Sequence, residues 1–225
     1  MKAFSQQVLL ICKKDLLTEF RGSSNFFSVF LFGVLLLLLF SFALSVDPEL
    51  MRKMAPGLFW LAVLFSSILT LDHSFDKETE DGQWEGLLLL GASPKALYLG
   101  KCLSNLAFLF LLEICLLPLM VVFFDISLTG SLISILILGS LGISSLGTFY
   151  AGLTSSFKGG QILLPLLLFP MLVPVLLAAV HATGLTLAHD LFGQQMAWMK
   201  LLIVFDMVFL LGSLLCADLL FDTVN

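Results

Sequence analysis

An all-α integral membrane protein, with six transmembrane helices behind an N-terminal interfacial amphipathic helix, is the fold class this sequence predicts. Three observations predict it. Hydrophobic residues make up 59% of the 225-residue chain and charged residues only 12%, about half the charged share of a soluble domain. The apolar residues gather in six runs, each near the ~20 residues that cross a ~30 Å hydrocarbon layer. Lysine and arginine are spread unevenly over the segments between those runs, which is the bias that orients a membrane chain. Residues 1–225 are read as a single transmembrane domain.

The elements follow in chain order. Phe4, Val8, Ile11, Cys12, Leu16 and Phe20 recur at spacings of three and four, with Gln6, Gln7, Lys13, Lys14 and Glu19 opposite. Residues 1–25 therefore read as a helix lying in the lipid interface with its lysines towards the headgroups. They do not read as a signal peptide, because charges are scattered through them and no small-x-small cleavage site follows. The spans are predicted at residues 26–46, 54–71, 102–124, 128–153, 162–180 and 201–221. With the N-terminus inside, the inner segments hold Lys2, Lys13, Lys14, Arg21, Lys77, Lys95, Lys101 and Lys158, against Arg52, Lys53 and Lys200 outside. Both termini and the 72–101 loop are thus expected in the cytoplasm, and the 181–200 segment outside. The first three spans and the last three show no internal repeat, which weighs against an inverted-repeat carrier.

The fourth span carries Ser140, Ser144, Thr148 and Gly152 on one face, a small-residue stripe that admits a neighbouring helix or lines a conduit. The fifth carries Pro165, Pro170 and Pro174, so kinks or a break are expected there. Glu113 is read as the one mid-span carboxylate. It is expected to face the bundle interior, either in a structural hydrogen bond to a serine or a freed carbonyl, or as a gate or subunit contact. Asp206 and Asp218 are placed nearer the ends of the last span, within reach of water. His181 and His189, with Met196 and Met199 beyond, suit either haem ligation or plain solvation. Cys12, Cys102, Cys115 and Cys216 form no C-x-x-C pair and read as small apolar residues.

Several functions are excluded by what is missing. The net charge of −5 comes largely from one loop, and no basic patch exists to hold nucleic acid. No catalytic constellation or metal-ligand spacing appears, so the chain reads as non-enzymatic. Gly100-Lys101 is followed by Cys102 rather than Ser or Thr, and Lys95 occupies the place of the first glycine of a phosphate loop. ATP is not bound by that route.

The 72–101 loop carries the most information. Residues 72–85 hold six of the sixteen acidic residues and one lysine. Residues 76–81 are expected to extend the second span as helix up to Gly82. Residues 83–90 are expected to form a short helix with Trp84 and the leucines as its apolar side, ended by Gly91. Ser93-Pro94 then opens the next helix as N-cap and first residue. A plain connector needs only a few residues, so the loop is read as a docking surface for a soluble partner.

Asp81-Gly82-x-x-Glu85-x-Leu87, with Ser93-Pro94 and Gly100-Lys101, resembles the coupling-helix region of ABC-2-type membrane subunits. Ala55-Pro56-Gly57 with Trp60, Ser66-Ser67, and Lys158-Gly159-Gly160 ahead of Pro170 and Pro174 sharpen the match. Together they are similar to the haem exporter protein B (CcmB) family of c-type cytochrome maturation, over nearly the whole chain. Trp84 departs from it, standing where a smaller hydrophobic residue is usual, and so does Gly91-Ala92 in place of a proline-rich stretch. The resemblance implies an ABC-2-type permease architecture and a place in the bacterial inner membrane. It implies a homodimer within a complex with a separate ABC ATPase (CcmA-like), a haem-handling membrane protein (CcmC-like) and a haem chaperone (CcmE-like). No cofactor is expected on this chain itself; haem is handled by the complex and ATP by the partner subunit. It assigns coupling to Asp76, Glu78, Glu80, Asp81, Gly82, Trp84, Glu85 and Lys158. The competing readings are a generic ABC-2-type exporter subunit for lipid, polysaccharide or drug, and a stand-alone proton-coupled carrier using Glu113.

Overall fold

The computed structural model describes residues 2–21, 23–44, 47–80, 92–124, 126, 130–155, 160–188 and 193–218, and at a few helix ends, notably 73–80, the backbone alone. Regular structure among the described residues is entirely helical. The elements are α1 (Lys2–Arg21), α2 (Ser23–Leu44), α3 (Pro48–Glu80), α4 (Pro94–Phe124), α5 (Gly130–Ser155), α6 (Gly160–Leu187) and α7 (Gln194–Leu215). Six of them, α2 to α7, are long and apolar enough to cross a membrane, as the sequence predicts.

The helix starts follow local chemistry. Asp47 Oδ1 accepts from the backbone N–H of Glu49 at 3.0 Å and of Leu50 at 3.1 Å, and Pro48 takes the first helical position, where no N–H is needed. Ser93 repeats the device for α4, its Oγ accepting from Ala96 N–H at 3.3 Å. α7 instead follows Gly193 in the left-handed region, φ 70°, which glycine adopts without a Cβ clash.

Two expectations about the last spans are corrected. Of the kinks or break expected at Pro165, Pro170 and Pro174, the break is absent and α6 is one continuous helix: each proline removes one donor, but the remaining i→i−4 bonds keep the helix where no water can replace them. The outer segment predicted at 181–200 is mostly helix, since α6 continues to Leu187 and α7 begins at Gln194. Polar residues at 181–187 and 194–200 lower the hydropathy without breaking the backbone ladder.

α5 is the central helix, packing against α3, α4, α6 and α7. α2 lies at one edge on α3 and α4, and α7 at the other on α5 and α6. The glycines of α5 explain why it can be surrounded. A Cβ at Gly139 would collide with the indole ring of Trp60 on α3, and one at Gly147 with Leu71 of the same helix. The predicted polar stripe turns to α4: Ser144 Oγ donates to the Cys102 carbonyl at 2.7 Å, and Thr148 Oγ1 accepts from Asn105 Nδ2 at 2.9 Å. Small residues on several faces let helices approach closely where lipid offers no hydrophobic drive to association.

Candidate functional site

Two polar regions stand out in this apolar bundle, one where α1 meets α4 and one beside α5. α1 does not lay its whole apolar stripe into lipid. Val8 and Ile11 are buried, and a Cβ at Gly100 would come within 2.7 Å of Ile11, so this stripe packs on α4. Leu9, Leu10 and Leu17 stay exposed and remain free for the interface. Burial, with help from the Asp15 carboxylate, pushes the Cys12 thiol up, consistent with an unreactive packing residue.

Asp15 holds this contact together. Its carboxylate lies 3.7 Å from Lys101 Nζ and 3.1 Å from Lys14 Nζ, and Oδ2 accepts from Ser104 Oγ at 3.4 Å. Lys101 is only 3% exposed in its side chain, and its pairing with α1 has no signal in the local sequence. A small cleft beside it is lined by Asp15, Glu19, Thr70, Ser104, Asn105 and Phe108. On the same side Lys95 pairs with Asp218 at 3.3 Å. Hence α1, the start of α4 and the end of the described chain share one face.

That face is where α3 ends and α4 begins. The expected helical extension past the second span is present: α3 continues through Asp76 and Glu78 to Glu80, although the surroundings of those side chains lie outside the described residues. Asp81, Gly82, Trp84, Glu85 and Lys158 also lie outside the described residues. The structure therefore brings the flanking helices together, and the short helix expected at 83–90 lies outside the described residues.

The second region is the pair of carboxylates beside α5. Glu113 is fully buried on α4, and its Oε1 accepts from Ser140 Oγ at 2.6 Å. This is the interior-facing, serine-bonded arrangement expected of it. Asp206 contradicts the sequence reading. It stands thirteenth among the 22 residues of α7, is 3% exposed, and does not reach water. Neither carboxyl oxygen has a hydrogen-bond partner among the described residues. The earlier start of α7 moves Asp206 from the span's end to its middle, so Glu113 is not the lone mid-span acid. Leu202, Asp206 and Ser213 fall on one helical face, and that pattern was the available signal.

His181 lies on α6 rather than in a loop. It is exposed, and its ring stacks on Trp198 of α7 at 4.6 Å and 16°. Met199 Sδ is taken up by Gln195 Nε2 at 3.7 Å, and His189 lies outside the described residues. The stacking partner was hidden because it is contributed by the next helix.

Comparison with known proteins agrees with this architecture. The family model described as CcmB protein matches residues 6–218. The protein named "Heme exporter protein B" in Haemophilus influenzae is 29% identical over 194 residues, covering 84% of this chain and 86% of its own. Its namesake in Pseudomonas aeruginosa is 28% identical over 192 residues, with the same two shares, 84% and 86%. The one in Rhodobacter capsulatus is 31% identical over 170 residues, covering 74% and 78%.

Proposed function

This chain belongs to the CcmB family, and on that premise we propose that it is the non-catalytic membrane subunit of an ABC export complex serving c-type cytochrome maturation. ATP is hydrolysed by a separate ATPase subunit that docks on residues 72–101, through Asp76, Glu78, Glu80, Asp81, Gly82, Trp84 and Glu85, with Lys158 alongside. The motion drives haem export or release of a haem-loaded chaperone on the far side of a bacterial inner membrane, with both termini in the cytoplasm. Two copies pair in the complex, beside a haem-handling membrane protein. Relatives named for haem export support the substrate class.

The observation that carries the reading is mechanical. The 81–91 segment joins α3 and α4, 33 and 31 residues long, or about 45–50 Å each at 1.5 Å per residue. Both pack directly on the central α5. A load applied between them reaches the middle of the bundle through unbroken rods. Such a load shifts the bundle only if the partner's nucleotide states prefer different arrangements of the two helices.

Trp84→Asp and Glu85→Lys are expected to cut co-purification of the ATPase by about tenfold or more, a central aromatic or charged contact being worth ~2 kcal/mol, with membrane insertion intact. Undiminished co-purification of both variants would remove the docking role. Reporter fusions are expected to place residues near 90 inside and near 190 outside, and the reverse pattern would overturn the orientation. Combining His181→Ala with His189→Ala is expected to leave c-type cytochrome yield near normal, because His181 already has a stacking partner. Complete loss of yield would assign those rings to haem.

A further inference from the structure

α1 sorts its charges by face. At about 100° per residue, Leu9, Lys13, Leu17, Leu10 and Lys14 fall in that order on one arc of about 140°. Val8, Ile11, Asp15 and Glu19 occupy the opposite side. The two sides meet different surroundings. Val8 and Ile11 are buried, whereas Leu9, Leu10 and Leu17 are 66%, 67% and 48% exposed. Asp15 meets Lys101 and Ser104 of α4, and Glu19 lines the cleft with Thr70, Asn105 and Phe108. Both carboxylates of α1 therefore turn to the bundle. Lys13 is exposed, and Lys14 is 38% exposed beside Asp15. The outward arc carries leucines and cations, and no acid.

The chain fixes where that arc stands. Residue 22 alone separates α1 from α2, and α2 is long and apolar enough to cross the membrane. One residue reaches at most about 3.6 Å, so the end of α1 stays at the bilayer surface. Phe26, at the head of that span, meets Phe108 of α4 edge-on at 5.3 Å. The same Phe108 lines the cleft beside Glu19, so this end of α1 is level with the start of the first span. Leucines turned away from the protein at that level fit acyl chains. Lysine stems run along such a surface and carry their ammonium groups to the headgroups. An arc of cations with no acid among them favours a negative headgroup over a zwitterionic one.

We propose that the outward arc of α1 is a docking surface for anionic phospholipid: Leu9, Leu10 and Leu17 enter the acyl region, and Lys13 and Lys14 meet the phosphates. The bound lipid also steadies α4. Ile11 packs so closely on Gly100 that a Cβ there would come within 2.7 Å, and Asp15 holds Lys101. Through these contacts α1 ties the first turns of α4 to the bilayer surface. This goes beyond the coupling role of the loop and does not depend on it.

The test is deuterium exchange of the α1 amides in the full chain, in nanodiscs of phosphatidylcholine alone and of phosphatidylcholine with phosphatidylglycerol. Protection is expected to rise with the anionic lipid by about fivefold for each lysine engaged, the fold-change equivalent to the ~1 kcal/mol a basic residue gains beside such a surface. Lys13→Gln is expected to remove about fivefold of that rise, and Lys200→Gln on α7 none. Leu17→Ser is expected to lower protection in both lipids. At about 1 M salt, where the Debye length falls to about 3 Å, the rise should vanish while the Leu17→Ser effect persists. Equal protection in the two lipids overturns the proposal, as does a rise that Lys13→Gln leaves intact. The same rise from inorganic phosphate in neutral nanodiscs overturns it in favour of a soluble anion. Protection that appears only on adding a soluble protein overturns it in favour of a protein interface.

Discussion

Gly139→Leu is expected to prevent the bundle from assembling. The indole of Trp60 lies where the first carbon of any side chain at 139 would go, and Trp60 is 1% exposed, with no room to retreat. Its Nε1 also donates to Thr183 Oγ1 on α6 at 2.9 Å, so the ring pins α3, α5 and α6 together. Overpacking a filled core costs about 1–3 kcal/mol even where flexible side chains can yield. A rigid ring held by a hydrogen bond yields less, and displacing it leaves a buried hydroxyl and indole unpaired, at about 1–3 kcal/mol more. Against a total stability of about 5–15 kcal/mol, the sum removes much of the folded population. The measurement is the yield and melting temperature of a fluorescent fusion in mild detergent. Trp60→Leu should partly rescue Gly139→Ala, which tests the contact itself, and wild-type melting of Gly139→Leu would show that α3 and α5 do not meet this way.

The second large effect is expected at Asp15. Asp15→Ala takes the carboxylate from a buried lysine, and removing one member of a buried ion pair costs about 3–5 kcal/mol. Lys101→Met should cost less, because Asp15 keeps Lys14 at 3.1 Å and Ser104 at 3.4 Å. The double variant is expected to recover much of the Asp15→Ala loss, since it removes both charges of the pair together. The loss should be local, detaching α1 from α4, and is read as protease cleavage within residues 1–25 of protein held in membranes. Additive single effects with no recovery would show that the 3.7 Å approach of Asp15 and Lys101 is incidental.

Much of the architecture was legible because each span declares itself. The six runs, the caps at Ser93 and Pro94, the helical continuation through residue 80 and the interior position of Glu113 are each written in a contiguous stretch. The errors fell where a residue's meaning depends on another helix. Asp206 was placed near water because hydropathy set the start of the last span at 201, and polar residues at 194–200 hid a helix whose backbone satisfies itself. Lys101 was read only as one of the inner charges, and its burial under α1 was not visible in the sequence. The prolines of α6 overstated a break. The family match spans residues 6–218, while the side chains proposed for coupling lie outside the described residues.

The sequence by itself determined the class, the number of spans and the cap that opens α4, because hydropathy and capping are sums over neighbouring residues. Only the tertiary structure decided that α5 is central, that Asp15 meets Lys101, and that the acid of α7 is shut against Gly142. Burial is a property of what packs across a helix, and those partners lie tens of residues away.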